Sequence, residues 1–438
     1  MSNWDFSLKK RAFLLFLLVT GSSIPASAGV FPPASDTAQT PKLRGSYYTG
    51  TYQNLFKDLL GKTDAQVKAR VDEAFSHLFY GNDSTERLYY PVEPDMAYVA
   101  DVLHDDVRTE GMSYGMMIAV QLDKKAEFDR IWKWAKTFMQ HRTEPRKYYF
   151  AWHCKTNGAV LDSTAASDGE EWFVTALFFA SARWGNGQGM FNYRAEAQAI
   201  LDAMLNKEGK PWSDGKITNM FNTKEKQVVF VPTVEGAGFT DPSYHVPHFY
   251  ELWARWGDRN NTFWCEAAST SRSFFKKTAY PSTGLMPDYA HFDGSPLNWG
   301  GGNNDFRFDA WRVGMNVALD YAWFAKDPWE VTQSNRLLNF FHSKGIDAYG
   351  NQYTLDGKKL GDDHSVGLVA MNAVACLAST NANRKDFVEQ LWNTPVPSGI
   401  YRYYDGLLYM IAMLQVSGNF RIYDPTGQPT TECPGGMH

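Results

Sequence analysis

Trp172-Phe173-Val174-Thr175-Ala176-Leu177-Phe178-Phe179-Ala180-Ser181-Ala182 is apolar on nearly every side. A helix of that composition needs protein all round it, as an inner helix covered by an outer layer has. A second stretch behaves differently. Phe128, Ile131, Trp132, Ala135, Phe138 and Met139 follow a spacing of three and four residues, the single apolar face of an amphipathic helix. Thr63 and Gln66 form a capping-box pattern ahead of Val67, Val71, Ala74, Phe75 and Leu78, which opens another helix. The same reading predicts helices near 51–60, 110–122, 194–206, 243–256, 262–277, 309–325, 330–343, 366–378, 384–392 and 402–416. Strand signals are few, and Val228 to Val231 is the best of them. About a dozen helices without a sequence repeat predict an all-α toroid or solenoid, not an array of repeated units.

The wider composition agrees with a folded, secreted protein. The 438 residues hold 44% hydrophobic and 21% charged side chains, with a formal charge of −5. No basic excess points to nucleic acid, and no stretch has the ~20 apolar residues of a membrane span. Residues 1–28 read as a signal peptide, with Lys9, Lys10 and Arg11 before a short apolar run and Ala26-Ser27-Ala28 at its end. Residues 29–46 read as a flexible leader, 47–423 as one domain and 424–438 as a disordered tail. The expected location is secreted or periplasmic. Cys154, Cys265, Cys376 and Cys433 allow three full pairings, among which the sequence does not choose.

Three acidic clusters open helices: Thr109-Glu110-Gly111, Ser167-Asp168-Gly169-Glu170-Glu171 and Asp305-Phe306-Arg307-Phe308-Asp309. Each alone is explained by first-turn acids favoured by the helix dipole, and Asp309 with Arg312 by an i, i+3 ion pair. Gly111-Met112-Ser113-Tyr114-Gly115 has the pattern of a serine-hydrolase elbow, but that motif needs a buried strand before it, and Asp101 to Asp106 does not read as one. His245 and His248, separated by Pro247 and with no cysteine nearby, read as buried or substrate-facing histidines, not metal ligands. Acidic helix openings together with 15 Trp, 23 Tyr and 29 Phe point to carbohydrate chemistry. Glycoside hydrolysis uses two carboxyl groups, and sugars stack on aromatic rings.

From about Tyr47 to Tyr423 the chain resembles family-8 glycoside hydrolases, and most closely the branch that releases xylose from the reducing end of xylo-oligosaccharides. The motifs are Asp106-Val107-Arg108-Thr109-Glu110-Gly111-Met112-Ser113-Tyr114-Gly115-Met116, Asp168-Gly169-Glu170-Glu171, Asp241-Pro242-Ser243-Tyr244-His245, Asp309-Ala310-Trp311-Arg312-Val313, Trp392-Asn393-Thr394-Pro395 and Tyr403-Tyr404-Asp405. The resemblance implies an (α/α)6 barrel and an inverting mechanism without metal or other cofactor. It assigns the general acid to Glu110, the general base to Asp309, the sugar before the cleaved bond to Asp168, and placement of the attacking water to Tyr244. Arg108, Tyr114, Arg312 and His364 complete the expected substrate-binding set. The implied partner is a xylo-oligosaccharide, with neither nucleic acid nor, after signal cleavage, a membrane. Alternatives are an endo-acting xylanase, glucanase or chitosanase of the same family, or a silent carbohydrate-binding protein on the same barrel.

Two expectations follow. Glu110 must stay protonated near neutral pH, so apolar neighbours such as Met112 and Tyr114, or the charge of Asp168, must outweigh the helix N-terminus. Asp309 should meet water directly, with Arg312 to one side. Trp152, Trp172, Trp311 and Tyr404 are candidate stacking platforms. In the segment Leu360 to Gly367, His364 belongs to a loop that closes the cleft in the exo-acting branch. Ser365 replaces the proline of that branch and predicts a looser loop.

Overall fold

The computed structural model describes residues 45–427 and Cys433. The expected signal peptide, most of the leader and most of the tail lie outside the described residues. Two short helices, α1 (Ser46–Thr49) and α2 (Leu55–Leu60), lead into an alternating series. It runs α3 (Asp64–Tyr80), α4 (Thr109–Gln121), α5 (Lys125–Trp134), α6 (Ser167–Trp184), α7 (Tyr193–Met204), α8 (Pro247–Trp256), α9 (Asn261–Thr278), α10 (Trp311–Phe324), α11 (Trp329–Ser343), α12 (Val366–Ala375), α13 (Arg384–Asn393) and α14 (Arg402–Val416).

Even-numbered members from α4 onward are buried on nearly every side. In α4 only Glu110 is not buried, and in α6 every residue from Ser167 to Ser181 is. The odd-numbered members bury one face, as α5 does with Phe128, Ile131, Trp132 and Trp134. The inner helices close a ring: α4 packs on α6, α6 on α8, α8 on α10, α10 on α12, α12 on α14, and α14 back on α4. Outside them, α5, α7, α9, α11 and α13 each cover the inner helix that precedes them, and α3 covers α14. This is the (α/α)6 barrel. Hydrophobic periodicity separates its layers because only a helix buried all round can lack a polar face.

Local signals mark most boundaries. At α3, Gln66 N donates to Thr63 Oγ1 and Thr63 N to Gln66 Oε1, at 3.2 and 2.9 Å. The apolar pattern of α5 runs on to Met139, but Ala135–Met139 forms a π-helical turn, which a reading at constant period cannot foresee. A five-stranded antiparallel sheet was not expected: β1 (Tyr89–Val92), β2 (Met96–Asp101), β3 (Asp106–Arg108), β4 (His153–Lys155) and β5 (Val160–Asp162). Its strands have three to six residues, too short for alternation to stand out. The best strand signal yields only β7 (Gln227–Val228), paired with β6 (Phe221–Asn222). The last hairpin is β8 (Gln352–Tyr353) with β9 (Lys359–Gly361).

Cys265 on α9 is bonded to Cys433, while Cys154 and Cys376 are buried thiols. Gly45 and Ser46, at the end of the expected leader, are packed in place, with Ser46 Oγ donating to Ala322 O at 3.0 Å. No helix among the described residues is long and apolar enough to cross a membrane.

A buried ionic cluster joins α8, α9 and α10. Arg272 donates to both oxygens of Asp320, at 2.6 and 2.8 Å, and to Glu251 at 2.8 Å. Arg255 and Lys326 also bind Glu251. Burial would raise the Glu251 carboxyl, but these three cations outweigh it and bring it down to about 2. Removing one partner of such a cluster leaves uncompensated buried charge. Arg272→Met is therefore expected to cost about 3–5 kcal/mol, read as a lower urea midpoint at neutral pH; an unchanged midpoint would contradict this role.

Candidate active site

Each inner helix begins with, or just after, a sequence-predicted site residue. Glu110 is in the first turn of α4 and Asp168 in that of α6. Tyr244 ends a 3-10 turn (Pro242–Tyr244) before α8. Asp309 precedes α10 by two residues, His364 precedes α12 by two, and Tyr404 is in the first turn of α14. One guanidinium joins most of these starts. Arg312 Nη1 donates to Glu110 Oε2 at 2.9 Å, Asp168 Oδ2 at 3.1 Å and Tyr114 Oη at 3.2 Å. Its Nη2 donates to Ser243 Oγ at 2.9 Å and Asp309 Oδ1 at 3.0 Å. The rings of Tyr244 and Tyr404 lie 5.7 and 6.0 Å from it. The sixth start, α12, is tied in through Gly367 N, which donates to Asp405 Oδ1 at 2.9 Å.

Exposure grades across this group. The Arg312 side chain is 2% exposed, that of Glu110 19% and that of Asp309 34%. The arginine lies behind, and the two acids open outward. The expectation that Arg312 stands aside from Asp309 is corrected: they are in direct contact, because Arg312 is the one cation that Glu110, Asp168 and Asp309 share. The path through the guanidinium, 2.9 Å at one end and 3.0 Å at the other, limits the Glu110 Oε2 to Asp309 Oδ1 separation to about 8 Å. That limit admits the ~6.5–9.5 Å between the carboxyls of inverting glycosidases.

Burial raises the Glu110 carboxyl, Arg312 pulls it back, Asp168 and Asp309 push it up again, and Arg108 lowers it. The outcome is about 7. Desolvation, helped by the two neighbouring carboxylates, outweighs the two cations. Asp168 is also raised, by burial against the opposing charge of Arg312. Glu170 and Glu171, neighbours of Asp168 in sequence, turn into the core. Glu170 accepts from Phe150 N at 2.8 Å, and Glu171 from Tyr250 Oη at 2.6 Å.

The remaining predicted residues divide. Arg108 lies beside Glu110, donating to Asp106 at 3.1 Å and bridged to Asp101 at 3.0 Å, with its guanidinium 5.9 Å from the rings of Trp152 and Tyr403. Tyr114 is buried behind Arg312, edge-on to Trp172 at 4.6 Å. His364 is not brought to the carboxylates by any contact. Its Nδ1 is 2.8 Å from Tyr349 O and its Nε2 3.0 Å from Gln390 Nε2, so both ring nitrogens have protein partners. Ser365 Oγ accepts from Asn351 Nδ2 at 2.9 Å, and Asn351 O accepts from Trp311 Nε1 at 2.9 Å. Hydrogen bonds thus tie the loop that carries His364 and Ser365 to Tyr349, Asn351 and Gln390. Trp172 and Trp311 are buried core residues, not platforms, whereas Trp152 and Tyr404 are half-buried.

Ser113 is buried within α4, its Oγ donating to Glu110 O at 3.0 Å. A strand, β3, does precede the helix, contrary to the reading of the sequence, but Ser113 lies in the second turn, not at the strand–helix corner that an elbow requires. His245 is held between Thr240 Oγ1 and Ser271 Oγ, both at 2.9 Å, and His248 packs against Phe249 and Trp323.

Three neighbours have roles that the sequence reading did not give them. Ser243 holds Arg312. The ring of Tyr403 fills the space where a Cβ on residue 111 would stand, 2.6 Å away, so Gly111 is required there. Asp288 Oδ1 accepts from Arg307 N and Ala310 N, at 3.2 and 3.1 Å, bracketing the turn that carries Asp309. Asp288 lies outside any helix, and no periodic pattern marks it.

The family described as Glycosyl hydrolases family 8 matches residues 100–418, which include Glu110, Asp168, Tyr244 and Asp309. This chain is a family-8 glycoside hydrolase. It is 47% identical over 389 residues to the reducing-end xylose-releasing exo-oligoxylanase Rex8A of Paenibacillus barcinonensis, covering 87% of this chain and 99% of the relative. A reducing end xylose-releasing exo-oligoxylanase of Halalkalibacterium halodurans is 44% identical, covering 88% and 97%. Among solved structures, a catalytic mutant of a family-8 xylanase from Teredinibacter turnerae in complex with xylohexaose superposes with a TM-score of 0.83. It is 46% identical, covering 87% of this chain and 100% of that one.

The glycosidase assignment makes the Glu110 proton measurable. Difference infrared titration of the native protein against Glu110→Gln should show a carboxyl titrating near pH 7. In Arg312→Met the same carboxyl should titrate higher, because Arg312 favours its ionised form. A native titration near pH 4.5, or a downward shift in the variant, would refute the electrostatic account.

Proposed function

We propose that the protein is an inverting glycoside hydrolase acting on β-1,4-xylo-oligosaccharides and releasing xylose from the reducing end. The observation that carries the mechanism is the joining of Glu110, Asp168 and Asp309 through Arg312, with Glu110 raised to about 7. Protonated Glu110 gives its proton to the glycosidic oxygen as the bond to the leaving sugar breaks. Asp309 takes a proton from a water molecule, whose oxygen bonds to the anomeric carbon from the opposite face. Tyr244 places that water; burial raises its hydroxyl well above the usual tyrosine range, so it remains a donor. Asp168 holds the hydroxyls of the sugar before the cleaved bond, and Arg108 borders the cleft beside Glu110. Tyr114, Ser243 and Arg312 position the acids from behind.

Reducing-end release is supported by the two exo-oligoxylanase relatives and by the hydrogen-bonded loop around His364, whose role is to keep that loop in place. Internal cleavage is the second reading, favoured by comparable identity to the Teredinibacter turnerae xylanase. Residues 1–28 are proposed to export the enzyme to the periplasm or the medium.

Xylotriose and xylotetraose labelled at the reducing end separate the two readings. Early labelled xylose supports the exo reading, and larger labelled products move the enzyme to the endo reading. Glu110→Gln and Asp309→Asn should each lower kcat by about 10²–10⁴-fold. Proton NMR should show the new reducing sugar first as the α-anomer; a β-anomer would overturn inversion. Above pH 7 the Glu110 proton is lost, so kcat/KM should fall on the alkaline side with an apparent pKa near 7.

A further inference from the structure

Trp299 is the one exposed tryptophan among the described residues that belongs to an aromatic stack leading back to the site. The residue is 54% exposed. One side of the ring rests on Phe239, with centroids 4.7 Å apart and planes inclined by 32°. Phe239 stacks on Phe230 at 5.1 Å, and Phe230 on Tyr244 at 5.9 Å. Tyr289 braces the middle of this row, 4.5 Å from Phe230 and 5.7 Å from Phe239. Three ring-to-ring steps therefore separate Trp299 from the tyrosine assigned to the attacking water. These steps place Trp299 no more than about 16 Å from Tyr244, within reach of a short xylo-oligosaccharide.

The loop that carries Trp299 is held at several points. Asn298 Oδ1 accepts from Gly300 N and Gly302 N, at 3.0 and 3.3 Å. Arg307 Nε donates to Gly302 O at 2.9 Å, and Arg307 Nη1 to Gln352 Oε1 at 2.9 Å. Leu297 N donates to Tyr289 O, and Tyr289 N to Asn303 O, both at 2.9 Å. Arg307 stands two residues before Asp309, so the platform and the base belong to one hydrogen-bonded stretch. Leaving a tryptophan face in water has no benefit for the fold, since its burial would be favourable. A rigid ring supported from beneath by a second ring presents a flat apolar surface at little cost in conformational entropy. The apolar face of a pyranose fits such a surface, and the pendant hydroxyls remain in water.

We propose that Trp299 is a remote sugar-binding subsite, stacking a xylose residue of a longer xylo-oligosaccharide at most about three residues from the catalytic water. This rests on the reading of the site as a xylo-oligosaccharide hydrolase. Short substrates do not reach the ring and long ones do, so Trp299 sets chain-length preference.

The test compares native enzyme, Trp299→Ala and Trp299→Phe on xylotriose and xylohexaose. In Trp299→Ala, KM for xylohexaose should rise about tenfold, the effect of losing one aromatic contact. Its kcat should be unchanged, because contact with a remote sugar is made equally in ground and transition states. Both constants on xylotriose should stay within about twofold of native, and Trp299→Phe should recover most of the xylohexaose affinity. An unchanged xylohexaose KM in Trp299→Ala, or an equal rise on both substrates, overturns the subsite while leaving the hydrolase reading intact. Failure of the native enzyme to cleave either substrate removes that reading and the subsite with it.

Discussion

Arg312 is the constraint on which the centre of this barrel depends. Three carboxyl groups from three helix openings share one partly buried space, each within hydrogen-bond range of the same guanidinium, and buried like charges so grouped disfavour one another's ionisation unless a cation lies among them. A lysine would supply the charge at a single point. The planar guanidinium supplies it on two separate nitrogens, so Nη1 serves Glu110 and Asp168 while Nη2 serves Asp309. Ser243 takes the second hydrogen of Nη2, and the Tyr114 hydroxyl shares Nη1 with the two acids at 3.2 Å. The acids are thereby held at fixed spacing, the geometric requirement for placing a water molecule opposite a leaving group.

The barrel makes this arrangement affordable. Arg312, Glu110, Asp168 and Ser243 belong to four different inner helices or their leading turns, and ring closure brings those openings together. Partial positive charge at helix N-termini favours anions; burial disfavours them. At Glu110 burial prevails and the carboxyl rises to about 7. At Glu251, midway along α8, three cations prevail and the carboxyl falls to about 2. The same residue type in one domain is thus driven in opposite directions by the number of cations it contacts. The first case suits proton donation, and the second joins helices.

Layering was legible in the chain because it is a one-dimensional property. Trp172 to Ala182 lacks a polar face and is inner; the face that begins at Phe128 is one-sided and outer. Helix openings were legible for the same reason: Glu110 and Asp168 stand in first turns, where the helix dipole favours acids, and Asp309 just ahead of α10. Features that depend on distant partners were not. The strands β1 to β5 are too short to show a period, the π-turn after α5 breaks one, and Asp288 acts only through backbone amides of Arg307 and Ala310 on another loop.

The sequence by itself determined a toroid or solenoid of about a dozen helices and, through the resemblance of its motifs, the expectation of an (α/α)6 barrel and its candidate acids, since periodicity and local motifs reside within a few consecutive residues. Only the tertiary structure decided which groups share a space. Arg312 meets Glu110 across 202 positions and Asp168 across 144, Cys265 meets Cys433 across 168, and His364 turns to Tyr349 and Gln390 rather than to the carboxylates. Ring closure sets those encounters, and no local pattern encodes them. The same closure separates Trp172, sealed among Tyr114, Phe249 and Phe420, from Trp299, left with a face in water: identical side chains whose roles follow from what lies beside them.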